Sequence, residues 1–135
     1  LTPDVPFFRS PKWSYSLGAS YEHKVSESSS LGFDLNFGWK GSQASYPNPT
    51  NMVILPSFGL LNGRVTYTHD DRLKVSVFGN NLTNEYYLTG GFDPGGPTTK
   101  PTPGITGVPH DRVFGFTMLD VGRPREFGVE ISYKF

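Results

Sequence analysis

Apolar and polar residues alternate with a period of two over long parts of this chain. The alternation is clearest in residues 12–23 and 30–40, where almost every odd position is aromatic or aliphatic and the even positions are mostly polar or glycine. A period of two predicts an extended strand with two unlike faces. The link between the two stretches, Lys24 to Ser29, is short and polar. We therefore expect these strands to pair as an antiparallel hairpin.

Three further strands are predicted downstream, at residues 58–68, 73–81 and 125–135. The last of them alternates most strictly and ends on a phenylalanine. Gly63 interrupts the apolar face of the third strand, and Phe78 interrupts the polar face of the fourth. No stretch keeps the helical period of about 3.6 residues long enough to predict a helix.

The lengths of the strands and of their connections indicate a membrane protein. The predicted strands run to roughly ten residues, near the ~9–11 that a tilted strand needs to cross a bilayer. Short turns alternate with long loops, which we place at about residues 41–57 and 82–124. This alternation is typical of outer-membrane barrels, whose short turns face the periplasm and whose long loops face outward. The predicted fold class is therefore all-β: an antiparallel transmembrane β-barrel segment in the bacterial outer membrane.

Aromatic residues fall near both ends of the predicted strands. A hairpin centred near Ser26 would bring Trp13 and Trp39 side by side at its long-loop end. The aromatics expected at the opposite end are Tyr21, Tyr67, Tyr133 and Phe135. Amphipathic rings prefer the headgroup level of a bilayer, so two such belts favour a barrel wall. The alternative is a soluble β-sandwich, whose strands average about 5–6 residues and whose aromatics more often lie mid-strand.

Five strands cannot close a barrel, because single-chain bacterial barrels have even strand counts of about eight or more. The chain also opens at Leu1, with neither an initiating methionine nor an export signal. We therefore expect residues 1–135 to be a C-terminal fragment of a barrel domain, preceded by a segment that supplies the remaining strands.

Composition and motifs limit the possible chemistry. The net charge is zero, which leaves no basic surface for nucleic acid. Cysteine is absent, so there is no disulfide, thiolate metal site or cysteine nucleophile. The three histidines, His23, His69 and His110, lie far apart in sequence, and no nucleophile motif or phosphate-binding loop occurs. We expect a protein that is not an enzyme and that uses no cofactor and no metal.

Residues 73–87, LKVSVFGNNLTNEYY, form an alternating strand that runs into Asn-Leu-Thr-Asn and then tyrosine. This segment resembles the penultimate-strand motif of TonB-dependent outer-membrane receptors. The residues that match the motif are Asn81, Leu82, Thr83, Asn84 and Tyr87. The family's lead-in to its last strand is matched by Gly122, Arg123, Pro124 and Arg125. Residues 9–13 also resemble the start of an earlier strand of that family.

The resemblance implies a barrel of about 22 strands with an N-terminal plug domain inside. It implies active uptake of scarce ligands, above all ferric siderophores, energised by the TonB complex through an N-terminal part outside this chain. The other implied partners are outer-membrane lipid, the rest of the barrel with its plug, and the barrel-assembly machinery. By the same resemblance, Tyr133 and Phe135 are the expected assembly signal. The alternatives are a passive outer-membrane channel or other barrel, and a soluble carbohydrate-binding β-sandwich.

Residues 90–111 carry six glycines and five prolines, so we expect either a surface loop or a disordered segment, without regular structure. In the family this loop would help receive ligand at the mouth of the barrel. The candidates for contact with an anionic, ring-bearing siderophore are Tyr86, Tyr87, Phe92, Lys100, His110 and Arg112. The alternative for each is a solvated side chain, or one that packs within the loop. On the polar strand face we expect a charge network that faces the plug or water, formed by Asp34, Lys40, Arg64 and Glu130; the alternative for these residues is a ligand site.

Overall fold

The computed structural model describes residues 7–46, 52–94, 96–97, 110–111 and 117–135, with the backbone alone at 96–97 and 110–111. All of the regular structure in these residues is extended. The strands are β1 (Ser14–Ser26), β2 (Ser29–Lys40), β3 (Gln43–Ala44), β4 (Ile54–Leu55), β5 (Phe58–His69), β6 (Leu73–Asn80), β7 (Leu88–Phe92), β8 (Gly96–Pro97), β9 (His110–Asp111), β10 (Met118–Val121) and β11 (Glu126–Tyr133). Within the described residues, no helix is long and apolar enough to cross a membrane.

The chain divides into two compact units. The first, here called the wall unit, comprises Tyr15–Trp39, Gly59–Glu85 and Arg123–Phe135. It holds one sheet of five strands in the order β1-β2-β5-β6-β11, so that β1 and β11 are its edge strands. The other, here called the loop unit, comprises the described residues within 1–14, 40–58 and 86–122 and contains the pairs β3-β4, β7-β10 and β8-β9.

Two tight turns and the end of β11 lie at one end of the sheet, here called the short-turn end. The β1–β2 turn is only Glu27 and Ser28, and the Ser28 carbonyl accepts a 2.7 Å hydrogen bond from the amide of Asp70 in the β5–β6 turn. Asp70 and Asp71 both have positive φ angles, 50° and 54°, which aspartate tolerates better than most residues. The Lys134 amide donates to the Arg72 carbonyl at 2.9 Å. The short connections therefore share one end of the sheet.

The register of the wall unit separates the two faces by parity. β5 pairs with β6 in antiparallel fashion, with Gly63 opposite Gly79 and Val65 opposite Val77. β6 pairs with β11 in the same way, with Val77 opposite Val129. Because directly opposite residues point to the same face, the odd residues of these strands form one apolar face and the even residues form the other.

The strands begin and end within three residues of the positions expected from the alternation. The first hairpin differs most, because both strands extend into the polar link and the turn falls at residues 27–28. The shift changes the aromatic neighbours that the sequence predicts. Tyr15, and not Trp13, stacks on Trp39, with ring centroids 5.4 Å apart.

The long connections contain short strands where the sequence predicts none. β7 includes Gly90 and Gly91, two of the residues expected to break regular structure. Both glycines are accommodated because side chains of the partner strand β10 occupy the space that their missing Cβ atoms leave. The Asp120 carboxylate lies over Gly90, and Leu119 lies over Gly91. Here a glycine lets two strands pair closely, which outweighs its low intrinsic strand propensity.

The two units differ in where their apolar side chains lie. The buried hydrophobic residues of the described chain all belong to the loop unit, namely Ala44, Met52, Val53 and Leu55. The wall unit is built on a single sheet whose apolar side chains, among the residues that the structure describes, are largely exposed. Burying apolar surface is the main favourable term in folding, so a sheet of this kind requires an apolar environment on its odd face.

Candidate functional site

Tyr87 packs at the start of β7, inside the loop unit. Its ring stacks on Phe58, with centroids 4.5 Å apart and planes 29° apart. The same ring fills the space where Gly122 lacks a side chain, and the Gly122 amide donates to the Tyr87 carbonyl at 2.8 Å. Tyr87 is thus held in place by an aromatic ring on one side and by glycine backbone on the other.

Tyr86 is the most accessible of the aromatic ligand candidates that can be described. Its side chain is 72% exposed. It borders a cleft of about 290 Å³ that is shared with Tyr87 and lined by Pro56, Ser57, Leu88 and Leu119. These side chains carry no formal charge, so the cleft offers aromatic and aliphatic surface with hydroxyl groups. Such a surface can stack on a ring or cover an apolar part of a ligand.

The remaining candidates in the long connection are placed differently. Phe92 contacts Tyr46 edge to face, with centroids 5.3 Å apart, so it packs within the loop unit. His110 belongs to β9, but its side chain is outside the described structure. Lys100 and Arg112 lie outside the described residues altogether. The structure therefore brings together Tyr86 and Tyr87, while Phe92 has a packing partner of its own.

Asn81 is the centre of a hydrogen-bonded junction just after β6. It is 3% exposed and has a φ of 50°, in the left-handed region that asparagine adopts more readily than most residues. Its Nδ2 donates to the carbonyls of Glu85 and Arg123 at 2.9 and 3.1 Å, and its Oδ1 accepts from the Glu85 amide at 2.8 Å. Its own amide donates to Asn62 Oδ1 at 3.0 Å.

Asn84 extends the same junction toward β11. It also has a positive φ, 53°, and its amide donates to the Asn81 carbonyl at 2.8 Å. Its Oδ1 accepts a 3.2 Å hydrogen bond from the Arg125 amide. The two asparagines thus join the end of β6 to the residues that lead into β11. The motif residues identified from sequence therefore form a structural junction, and Thr83, which lies between them, is exposed.

The packing of Leu82 accounts for Gly63, the glycine that interrupts the apolar face of β5. Its amide donates to the Leu61 carbonyl at 2.8 Å, which turns the chain back over the sheet. Its side chain then lies over the facing pair Gly63 and Gly79. A Cβ on Gly79 would meet Leu82 and Phe127. The notch left by two glycines is thus filled by a leucine from outside the strands.

The lead-in to β11 is exposed and cationic. Arg125 lies over the Phe127 ring, with its guanidinium carbon 5.8 Å from the centroid. Arg123 forms a long ion pair with Glu126 at 3.9 Å, and its side chain is mostly exposed. Pro124 separates the two arginines and is exposed.

The even face of the wall unit carries the polar groups. Arg64 forms a 3.0 Å ion pair with Glu130, two strands away, and its guanidinium also lies 5.3 Å from the centroid of Phe78. Phe78, which interrupts the polar face, covers Gly128 on β11. Asp34 accepts a 2.7 Å hydrogen bond from Ser20 Oγ. Of the predicted charge network, the structure thus joins Arg64 and Glu130.

The odd face of the wall unit is apolar and exposed on all five strands. The aliphatic and aromatic residues exposed there include Leu17, Tyr21, Phe33, Leu35, Val65, Val77, Phe127, Val129 and Ile131. A contiguous exposed apolar surface of this kind marks a site of contact with a membrane, another protein or a ligand. Near its short-turn end the face ends in rings, with Tyr133 packed edge to face on Phe135 at 5.2 Å.

Sequence reasoning missed three features of these surfaces. Phe58 was not singled out, although it carries the stack on Tyr87. The notch at Gly63 and Gly79 could have been found, since the two glycines are equally distant from the β5–β6 turn. The buried state of Asn81 has no sequence signal apart from its place in the motif. Within the described chain, no group of three His, Cys, Asp or Glu side chains comes together as a possible metal site.

Comparison with known families agrees with this architecture. The family model for the TonB dependent receptor-like β-barrel matches residues 2–82, which is more than half of the chain. No curated protein and no solved structure matches the chain. Members of the matched family are transport receptors of the bacterial outer membrane and are not enzymes. The chain belongs to the family of TonB-dependent receptor β-barrels.

Proposed function

We propose that this chain forms part of the wall of a receptor that takes up ferric siderophores with energy from the TonB complex. The observation that carries the proposal is the cleft at Tyr86 and Tyr87, in a chain whose family provides active transport. Ring-bearing iron chelates can stack on an exposed tyrosine, and the anionic chelate can be drawn to cationic residues. Lys100 and Arg112 remain the proposed cationic contacts, and His110 is a further proposed contact.

The proposed orientation follows from the connections. Short turns of outer-membrane barrels face the periplasm, so we place the short-turn end of the sheet, with the β1–β2 and β5–β6 turns, on the periplasmic side. The long connections, which supply the residues that line the cleft, are then extracellular. The odd face contacts lipid, and the even face, with Arg64 and Glu130, faces the plug domain or water. In the complete barrel, β1 and β11 pair with neighbouring strands, because an unpaired edge is not tolerated in the hydrocarbon region.

Tyr133 and Phe135 are proposed as the residues that the barrel-assembly machinery recognises. Their support is the resemblance to the family together with the edge-to-face packing of the two rings. The test is a Phe135→Ala variant of the full-length receptor, measured as heat-modifiable folded protein in outer membranes. A lower folded yield supports the role, whereas an unchanged yield rejects it. Val129→Ala on β11 is the control, because it removes apolar surface without touching the ring pair.

Uptake of radioactive iron by cells that express the full-length receptor tests the transport proposal. Chelates with aromatic rings should be taken up in cells with functional TonB and not in cells without it. Tyr86→Ala should raise the KM for uptake about tenfold, as expected for losing one stacked ring, and Tyr86→Phe should restore it. Met118→Ala, an exposed residue of the loop unit outside the cleft, is the matched control. TonB-independent uptake would instead indicate a passive channel.

A further inference from the structure

The odd face of the wall unit contains an apolar groove next to the glycine notch. The groove measures about 540 Å³. The outward-facing residues that line it are Ala19, Tyr21, Phe33, Leu35, Gly63, Val65, Val77, Gly79, Leu82 and Phe127. The other lining residues are at even positions, so their side chains project from the opposite face. The groove is therefore apolar on the side that is open to the surroundings.

The shape of the groove follows from the sequence. Gly63 and Gly79 face each other and remove two side chains from an otherwise covered surface. Leu82 covers the glycine pair, which closes one end of the groove. On β1 and β2, Tyr21 and Phe33 lie side by side with centroids 6.5 Å apart and form a flank. Along β5, the lining residue nearest to the short-turn end is Val65.

A row of polar groups lies on the same face, nearer to the short-turn end of the strands than the residues that line the groove. Ser29 Oγ is 2.8 Å from His69 Nδ1 and 3.2 Å from the Tyr67 hydroxyl. His69 Nε2 lies 3.4 Å from a carboxylate oxygen of Asp70. A hydroxyl can both donate and accept, so this row can turn a donor toward a phosphate oxygen. Asp70 adds a carboxylate that can meet an ammonium group.

The distance from the polar row to the notch matches one leaflet of a bilayer. From His69 to Gly63 there are six residue steps along β5, or about 20 Å at ~3.4 Å per step. A strand tilt of about 40° reduces this to about 16 Å along the membrane normal. Half of a hydrocarbon core of ~30 Å is about 15 Å. With His69 at the headgroup level, Leu82 therefore closes the groove near the bilayer midplane.

We propose that this groove binds one zwitterionic glycerophospholipid of the periplasmic leaflet. The phosphate contacts the Ser29 and Tyr67 hydroxyls, and the ammonium group faces Asp70. From there one acyl chain passes Val65 and lies in the groove as far as Leu82. The occupant is a lipid because the groove is continuous with the lipid-facing surface of the sheet. It is a periplasmic-leaflet lipid because the polar row lies at the short-turn end, so the inference rests on the orientation given under the proposed function.

The groove-filling test uses Val77→Phe with Val129→Phe as its matched control. The two valines are directly opposite each other on β6 and β11 and lie at the same depth. Both are exposed on the odd face, 52% and 65%, but only Val77 lines the groove. A phenylalanine at residue 77 occupies the groove, whereas one at residue 129 projects into lipid beside it. Both changes keep an apolar, strand-compatible residue, so neither is expected to prevent folding.

The full-length receptor is placed in nanodiscs of phosphatidylethanolamine that carries a photoactivatable diazirine near the acyl terminus. Cross-links should concentrate on the peptide that contains Gly79 and Leu82. Val77→Phe should lower this yield about tenfold, because excluding roughly two methylene groups of the acyl chain from the groove weakens binding by about that factor. Val129→Phe should leave the yield unchanged. Tyr67→Phe should lower it about fivefold, the factor expected for one hydrogen bond.

Several outcomes would overturn the proposal. Equal yields in all variants would mean ordinary, unselective lipid contact. Stronger labelling by lipid A than by phosphatidylethanolamine would place the occupant in the other leaflet, and cross-links between two receptor copies would make the groove a protein interface. Binding of the ferric chelate is measured on the same nanodiscs, so that the two proposals can be tested separately. A receptor that shows the lipid labelling but does not bind the chelate would reject the siderophore proposal and leave the lipid proposal standing. Labelling of Ser28→Cys from outside cells would reject the orientation.

Discussion

Replacing Asn81 by alanine should loosen the junction that holds the end of β6, the start of the long connection and the lead-in to β11. The side chain is buried and makes three hydrogen bonds, two as donor and one as acceptor, all to backbone groups. These backbone groups belong to Glu85 and Arg123. Alanine keeps none of these bonds and leaves the backbone groups without their partner.

The magnitude follows from two contributions. Three hydrogen bonds at about 1 kcal/mol each give about 3 kcal/mol. The backbone adds about 1 kcal/mol, because φ is 50° and alanine lacks the local side-chain bonds that relieve an asparagine there. The sum is about 4 kcal/mol, and since bonds that share one side chain are not additive, we expect a loss of about 2–4 kcal/mol. Asn81→Gly should lose about 1 kcal/mol less, because glycine tolerates the positive φ.

Hydrogen exchange of the full-length receptor in detergent measures the effect where it arises. The Glu85 amide, which donates to Asn81 Oδ1, should exchange about a hundredfold faster in Asn81→Ala, and the Arg125 amide should accelerate as well. Asn36→Ala is the control, because Asn36 is exposed and makes only a 3.4 Å side-chain bond to the Leu17 carbonyl. If Asn81→Ala exchanged like Asn36→Ala, or if Asn81→Gly were as perturbed as Asn81→Ala, the account of this junction would be refuted.

Three further predictions concern packing on the wall unit and the loop unit. Leu82→Ala uncovers the facing glycines and should lower the stability of the receptor against denaturant by about 2 kcal/mol or more, with Leu17→Ala on the open lipid face costing less. Gly122→Ala should displace the Tyr87 ring, whose position its Cβ would overlap, and expose Phe58 to quenchers of aromatic fluorescence; Gly38→Ala, with free space around it, should not. Glu130→Gln should change stability by less than about 1 kcal/mol, because the ion pair with Arg64 is about half exposed, and a larger loss would mean that the even face is drier than described.

The alternation of the sequence predicted the wall unit because each strand carries its own two-faced pattern. Residues 12–23 and 30–40 required no information from elsewhere in the chain. The aromatic neighbours of Trp39 were harder to predict, because they depend on the position of the turn. The turn was expected near Ser26, and in the structure it lies at residues 27–28. A hairpin register is fixed by its turn, so a shift of the turn changes every cross-strand pair.

Long-range packing accounts for what the sequence did not predict. Leu82 fills a notch made by glycines on two other strands, and Phe78 covers Gly128, so each apparent break in a pattern is compensated by a residue from elsewhere. The strand β7 forms through Gly90 for a similar reason, because its partner's side chain needs the space. The intrinsic strand propensity of a residue carries no information about such packing partners from distant parts of the chain. Long-range packing also separates the ligand candidates, which the sequence could not distinguish. Tyr87 and Phe92 have packing partners, whereas the exposed ring at the cleft is that of Tyr86.

The central claim is that the odd face of this sheet contacts lipid in an outer-membrane receptor. Single spin labels at Val129→Cys, Glu130→Cys and Ile131→Cys in the full-length receptor, reconstituted in lipid vesicles, test it most directly, since the chain itself has no cysteine. Labels at residues 129 and 131 should be accessible to oxygen and protected from a water-soluble nickel chelate, with residue 130 less accessible to oxygen than either neighbour. Equal accessibility of all three labels to the nickel chelate would contradict the account.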